Sequence, residues 1–261
     1  LGLEPLIIAF LVMLGMAFGS FFNVVIYRLP LDKSLIPSSK CPKCDYAIPF
    51  WLNVPIFSWL FLRGKCRNCG AKISWHYVIV EFLTPLIYLL VYWRFGADNP
   101  VLLFKYLIFF SYGIIIIFID LYHMRIPFKL SIPLNILGLI SLFIPGNETS
   151  LISGIAGGAG SFAFFMLIMI AYYYIRGKEG LGFGDVLLIS AMGFFVGGLN
   201  LIMIVAMASL LGLIIMSIFM KYSKDKLFPF GPFLVISSWI YILWGYKLFG
   251  MYWSFINSYI Y

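Results

Sequence analysis

Charge is what this sequence has least of. Asp, Glu, Lys and Arg make up 11% of its 261 residues, well under the quarter or so of an ordinary soluble domain. Eighteen basic and ten acidic side chains cannot coat a soluble surface of that size, and a 63% hydrophobic composition excludes disorder as well. Cysteine is almost as sparse, with four in the chain, so a secreted disulfide scaffold is excluded too. Acids are fewer than bases, for a net charge of +8. On so apolar a chain that excess first reports which ends face the cytoplasm, and no nucleic-acid partner is expected. What the chain has in abundance is long apolar runs.

Those runs predict an all-α polytopic membrane protein of about eight transmembrane helices, at residues 5 to 26, 78 to 95, 101 to 119, 130 to 145, 151 to 175, 186 to 198, 199 to 220 and 232 to 249. The fourth and sixth are shorter than the roughly 20 residues of a straight span, which calls for a thin site or a re-entrant pair. Fifteen of the eighteen Lys and Arg fall on one side, and only Arg94, Lys105 and Lys247 on the other. The long loop after the first span is therefore expected in the cytoplasm, with the breaks near residues 120, 180 and 225, the last carrying Lys221, Lys224 and Lys226. Both chain ends are expected outside. The first run exceeds a signal-peptide core and meets Tyr27-Arg28-Leu29-Pro30 without a small-residue cleavage site, so it is expected to stay as an anchor. A chain opening on Leu1 implies an initiator methionine upstream.

Three parts are expected: a first membrane helix over residues 1 to 26, a small cytoplasmic domain over 27 to 77, and a membrane domain over 78 to 261. The middle part holds five prolines and has too little core to fold unaided. Its staple is visible. Cys41-Pro-Lys-Cys44 and Cys66-Arg-Asn-Cys69 are two Cys-x-x-Cys knuckles separated by 21 residues. Four thiolates at about 2.3 Å from a zinc ion close a tetrahedron with no open position, which reads as a structural, zinc-ribbon-like site. Redox dithiols or disulfides are the rival reading, set against a loop placed in a reducing compartment. His76 follows the second knuckle, but four sulfurs already fill the shell, so it reads as an interfacial histidine.

Acids at membrane depth are costly and point to function. Asp120 ends the run Gly113-Ile-Ile-Ile-Ile-Phe-Ile-Asp120, and Asp185 closes Gly180-Leu-Gly182-Phe-Gly184-Asp185 before the next apolar run. Both fall at one depth near the cytoplasmic face, and Glu81 sits about one turn inside the second span. Two aspartates converging in a water-poor site do not easily both ionise. One can then activate water as a base while its protonated partner donates to a peptide oxygen, with no metal and no covalent intermediate. Gly182 and Gly184 remove side chains beside Asp185 and let a substrate backbone approach. Plainer readings stand beside this one: Asp185 as an N-cap, an arginine partner for either acid, or a proton path through Asp120, Asp185 and Glu81 in an ion- or proton-coupled transporter. His123, one turn past Asp120, is placed to tune or shuttle a proton, but a lone histidine at an interface is more often simply solvated. Gly154-x-x-x-Gly158 reads as a close-packing helix face. The Gly180, Gly182, Gly184 run lacks the spacing of a dinucleotide loop.

These residues fall in an order that resembles the type IV prepilin peptidases, bifunctional leader peptidases and N-methyltransferases with a Gly-x-Gly-Asp aspartyl protease motif. The similarity begins with Gly19-Ser-Phe-Phe-Asn23-Val-Val-Ile-Tyr-Arg28-Leu-Pro30 and continues through both knuckles and the intervening Asn53-Val-Pro-Ile-Phe-Ser58-Trp59-Leu-Phe-Leu-Arg63-Gly64. Then come Ile73-Ser74-Trp75, Glu81-Phe-Leu-Thr84, Asp120-Leu with Ile126-Pro127, Gly182-Phe-Gly184-Asp185, and Pro229-Phe-Gly231-Pro232-Phe233. The resemblance implies that Asp120 and Asp185 are the catalytic pair, with Gly182, Gly184, Pro127 and Glu81 supporting the site. It implies cleavage of type IV prepilins or type II secretion pseudopilins after a glycine at the cytoplasmic face of the inner membrane. It also implies methylation of the new amino terminus with S-adenosylmethionine as donor, an activity associated with the cysteine loop. Two positions depart from the family pattern: Leu187 replaces a common lysine, and Phe128 replaces a common Asn or Asp.

Overall fold

The computed structural model describes residues 4–36, 39–96, 99–178, 180–220 and 228–245. Among these residues the regular structure is helical, apart from two isolated antiparallel bridges, Lys40 with Ala47 and Lys65 with Lys72. The helices are α1 (Glu4–Arg28), α2 (Phe57–Phe61), α3 (His76–Phe95), α4 (Pro100–His123), α5 (Phe128–Ser141), α6 (Leu151–Ile155), α7 (Ser161–Arg176), α8 (Phe183–Val196), α9 (Gly198–Met220) and α10 (Gly231–Ile240). A π-helical turn, Ala156–Gly160, joins α6 to α7 without a break, and another, Tyr241–Gly245, extends α10.

Five helical stretches have the length and apolar composition to cross a membrane: Glu4–Leu31, His76–Phe95, Pro100–His123, Leu151–Arg176 and Gly198–Ile218. Three more, Phe128–Ser141, Phe183–Val196 and Gly231–Gly245, are apolar but shorter. Among the described residues, five of the eight expected spans are helices of crossing length, two (α5 and α8) are shorter, and the last is described only as far as Gly245. The reason is dimensional: a 14-residue helix such as α5 or α8 rises about 21 Å, against a hydrocarbon core of about 30 Å. Residues 246–249 of the last expected span lie outside the described residues, as do Lys221, Lys224, Lys226 and Lys247.

The chain divides into two units, Leu1–Gly96 and Ala97–Tyr261. In the first, α1 and α3 run antiparallel in a tight register set by small residues. A Cβ on Gly15 would lie 2.5 Å from Pro85 Cα, and one on Gly19 would lie 2.8 Å from Glu81 Cα. One turn further along α1, Asn23 Nδ2 donates to Tyr77 O at 2.9 Å. Each step of four residues along α1 therefore meets a step of four back along α3, the small-xxx-small contact by which membrane helices approach closely. The loop between them, including α2, is described with the site below.

In the second unit α8 is the enclosed element. Nine of its fourteen residues are buried, among them Leu188, Ile189, Met192 and Phe195, so protein rather than lipid surrounds this short helix. Close backbone approach makes that possible: a Cβ on Gly193 would lie within 2.7 Å of the Gly157–Gly158 backbone, and Ser190 Oγ donates to Gly158 O at 2.9 Å. The expected close-packing face around Gly154 and Gly158 is thus the face laid against α5 and α8, where Leu142 and Phe194 leave no room for side chains at those two glycines. By contrast α7 has no buried residue. A second register holds α4 to α10, with Phe110 stacked on Trp239 at 5.1 Å and Gly113 opening the space that the Trp239 indole fills.

Candidate active site and cysteine loop

Asp120 lies in the last turn of α4 and is 4% exposed. Asn99 caps the other end of that helix by accepting from Leu102 N at 3.1 Å. The helix stops at Met124, whose left-handed backbone (φ 50°) returns its N–H to Asp120 O. Two residues, Arg125 and Ile126, then lead to Pro127, which starts α5 with φ −65°. Asp185 is the third residue of α8, after Gly182 at the N-cap position. No side chain caps that helix, so the plain reading of Asp185 as an N-cap fails. Its N–H donates to Gly182 O at 3.0 Å, and its carboxylate lies against the Gly182 backbone.

The two aspartates come from distant parts of the sequence, and the segments that carry them come together at Ile126, against which both Gly184 and Gly231 pack. Three glycines make this convergence possible. A Cβ on Gly184 would meet Ile126 O at 2.8 Å, so the start of α8 can seat against the Ile126–Pro127 step only with glycine there. A Cβ on Gly182 would lie 2.9 Å from Asp185 Oδ2. Gly231, the first residue of α10, donates its N–H to Asp120 Oδ2 at 3.0 Å, and a Cβ there would approach that same oxygen to 2.6 Å. Gly231 and Ile126 are the participants that residue chemistry did not single out, because neither titrates. The Gly231-Pro232 step, glycine and proline opening a helix, was the available signal. A cavity of about 420 Å³ lined by Met169, Ile170, Tyr173, Tyr174, Leu181 and Phe183 opens beside the segment that leads into Asp185. His123 is exposed. Leu187, at the position of the family lysine, accepts from Asn135 Nδ2 at its backbone oxygen, at 2.9 Å.

In the first unit the four cysteines converge. Their sulfurs all lie within 4.8 Å of one another, with Cys41 to Cys69 and Cys44 to Cys66 at 3.9 Å. Sulfurs at about 2.3 Å from a common zinc would stand about 3.8 Å apart, so the set fits a tetrahedral four-thiolate site, and no disulfide joins them. The two knuckles are built alike. Cys41 N bonds Tyr46 O at 3.0 Å and Cys66 N bonds Ala71 O at 2.8 Å, each turn closing through a left-handed residue, Asp45 (φ 52°) or Gly70 (φ 68°). The backbone N–H groups of Cys69 and Asn68 lower the Cys66 thiol from its usual value. His76 pairs with Ser74 Oγ at 2.8 Å instead of joining the sulfurs.

Glu81 binds within this first unit. It is 9% exposed, and its Oε2 accepts the backbone N–H of Ile56 at 2.7 Å.

Two family descriptions match the chain: "Bacterial Peptidase A24 N-terminal domain" over residues 13–95 and "Type IV leader peptidase family" over residues 107–217. A prepilin leader peptidase/N-methyltransferase of Neisseria gonorrhoeae is 35% identical over 263 residues, covering 91% of each chain. One of Dichelobacter nodosus is 34% identical over 277 residues, covering 94% of each. One of Pseudomonas aeruginosa is 31% identical over 262 residues, covering 90% of this chain and 89% of its own. No solved structure matches the chain.

Proposed function

The chain belongs to the type IV leader peptidase family, and from that premise we propose that it removes the leader of type IV prepilins and type II secretion pseudopilins and then methylates the amino terminus it exposes. The observation that carries the first reaction is the convergence of Asp120 and Asp185 at the ends of α4 and α8, with Gly231 N–H on one carboxylate. One aspartate takes a proton from water as the water attacks the glycyl carbonyl. The other gives a proton to the carbonyl oxygen, and the tetrahedral species collapses as the leaving amine is protonated. The Gly231 N–H fixes how the Asp120 carboxylate points, and the bare Gly182 and Gly184 leave space for the substrate backbone. The lysines and arginines at the breaks near residues 120 and 180 support a site at the cytoplasmic face of the inner membrane. A prepilin inserted with its basic leader in the cytoplasm offers its cleavage junction at that depth. The transporter reading has no support in the named relatives.

Zinc in the four-cysteine site, when bound, supplies the folding free energy that the proline-rich loop lacks. S-adenosylmethionine, when bound, supplies the methyl group. The cysteine loop and the α1 and α3 ends it grows from are proposed to hold that donor. A buried acceptor without a partner, Asn23 Oδ1, stands in that region.

Mass spectrometry of a prepilin incubated with the purified protein, with and without S-adenosylmethionine, reads both reactions at once. Leader loss in both samples, with one added methyl only in the presence of donor, is expected. Asp120→Asn and Asp185→Asn should each lower cleavage at least about a hundredfold, and wild-type turnover in either variant would sink the pair.

A further inference from the structure

From Tyr46 to Leu62, between the two knuckles, seventeen consecutive residues carry no charge. In the structure not one of them is buried. Phe50 is 82% exposed and Phe61 81%, and Trp51, Val54, Phe57 and Leu60 are exposed beside them. A loop standing free in water would not keep such a surface.

Its depth is set by Glu81. The 20 residues of α3 rise about 30 Å, the thickness of a hydrocarbon core, so Glu81, five residues in, lies about 7.5 Å past one boundary. The Ile56 N–H reaches that carboxylate at 2.7 Å. Ile56 does so in a conformation seldom open to a β-branched side chain, φ 63° and ψ −53°, the centre of a γ-turn closed by Phe57 N to Pro55 O at 2.6 Å. A backbone donor at this depth has no water to bond, and Glu81 satisfies it. Around the uncharged stretch the loop is basic: Lys40, Lys43, Arg63, Lys65, Arg67 and Lys72 are all exposed.

We propose that residues 46–62 are a membrane-embedded shelf: an interfacial segment laid into the acyl–headgroup boundary of an anionic leaflet, pinned by the Glu81–Ile56 bond, with the cysteine knuckles above it. The depth of the pin matches the roughly 5–10 Å to which interfacial helices sink. The flanking lysines and arginines then meet acidic lipid headgroups. The expected cytoplasmic domain over residues 27 to 77 is on this account a monotopic one.

The test uses the full chain in nanodiscs containing phosphatidylglycerol, with p-benzoylphenylalanine in place of Phe57 or Phe61, irradiated and weighed. A mass shift of one phospholipid is expected to dominate. Cross-links to peptides of the same chain or of a second copy would overturn the proposal, as would irradiation that leaves no adduct. In the Phe61 background, Glu81→Ala is expected to lose the lipid adduct, whereas Glu81→Gln keeps it because the amide oxygen still accepts from Ile56. An adduct retained in Glu81→Ala would overturn the pin. None of these readouts depends on catalysis, so their failure is distinct from a failure of the proposed reactions.

Discussion

A methyl group at position 231 would stand 2.6 Å from Asp120 Oδ2, so that oxygen would have to leave the backbone N–H that now holds it. The Gly231→Ala variant should therefore fold and keep Asp120, yet cleave about a hundredfold more slowly, the usual cost of moving a reacting group by about 1 Å. Single-turnover cleavage beside an unchanged thermal midpoint would show it; wild-type cleavage would mean that the bond does not position the acid. The acids themselves were legible as residues, because Asp120 and Asp185 interrupt apolar runs where charge is costly. Their helper was not. Gly231 has no chemistry of its own and matters only because α10 begins against the end of α4.

Among the elements, α8 poses the sharpest physical problem, since a helix of fourteen residues ends its carbonyl ladder inside the protein. Lys105, 6% exposed, resolves it by donating to Phe195 O at 2.7 Å, with Asn147 Oδ1 at 2.6 Å and Thr149 Oγ1 at 3.2 Å completing its shell. A cation at a helix C-terminus also suits the dipole. Lys105→Met should leave Phe195 O with Thr149 Oγ1, at 2.8 Å, as its remaining donor and lower stability by about 1–3 kcal/mol, read as a drop in the thermal midpoint in the same detergent. An unchanged midpoint would show that water replaces the ammonium there. Charge counting took Lys105 only as an outward charge. Its three partners come from distant chain segments, and no local pattern announces them.

For the whole molecule the division into Leu1–Gly96 and Ala97–Tyr261 matters, because the cysteines lie in one unit and the aspartates in the other. Metal removal should therefore act first on the cysteine loop. A zinc chelator, or Cys66→Ser, is expected to abolish methylation and loop protection from protease while a pre-assembled sample still cleaves its substrate. Loss of cleavage with methylation intact would reverse that division of labour. Sequence alone determined that the chain is helical and membrane-bound, that four cysteines at knuckle spacing form one site, and that two aspartates stand out. Those conclusions rest on composition, short spacing and the cost of charge in lipid, which are local properties. Tertiary structure decided that the short run over α8 is enclosed by protein, that Gly15 and Gly19 set α1 against α3, and that Glu81 holds Ile56. It also decided that Gly184 and Gly231 both pack against Ile126, which brings the starts of α8 and α10 to the end of α4. Each of these depends on the distance between atoms far apart along the chain, and only packing fixes that distance.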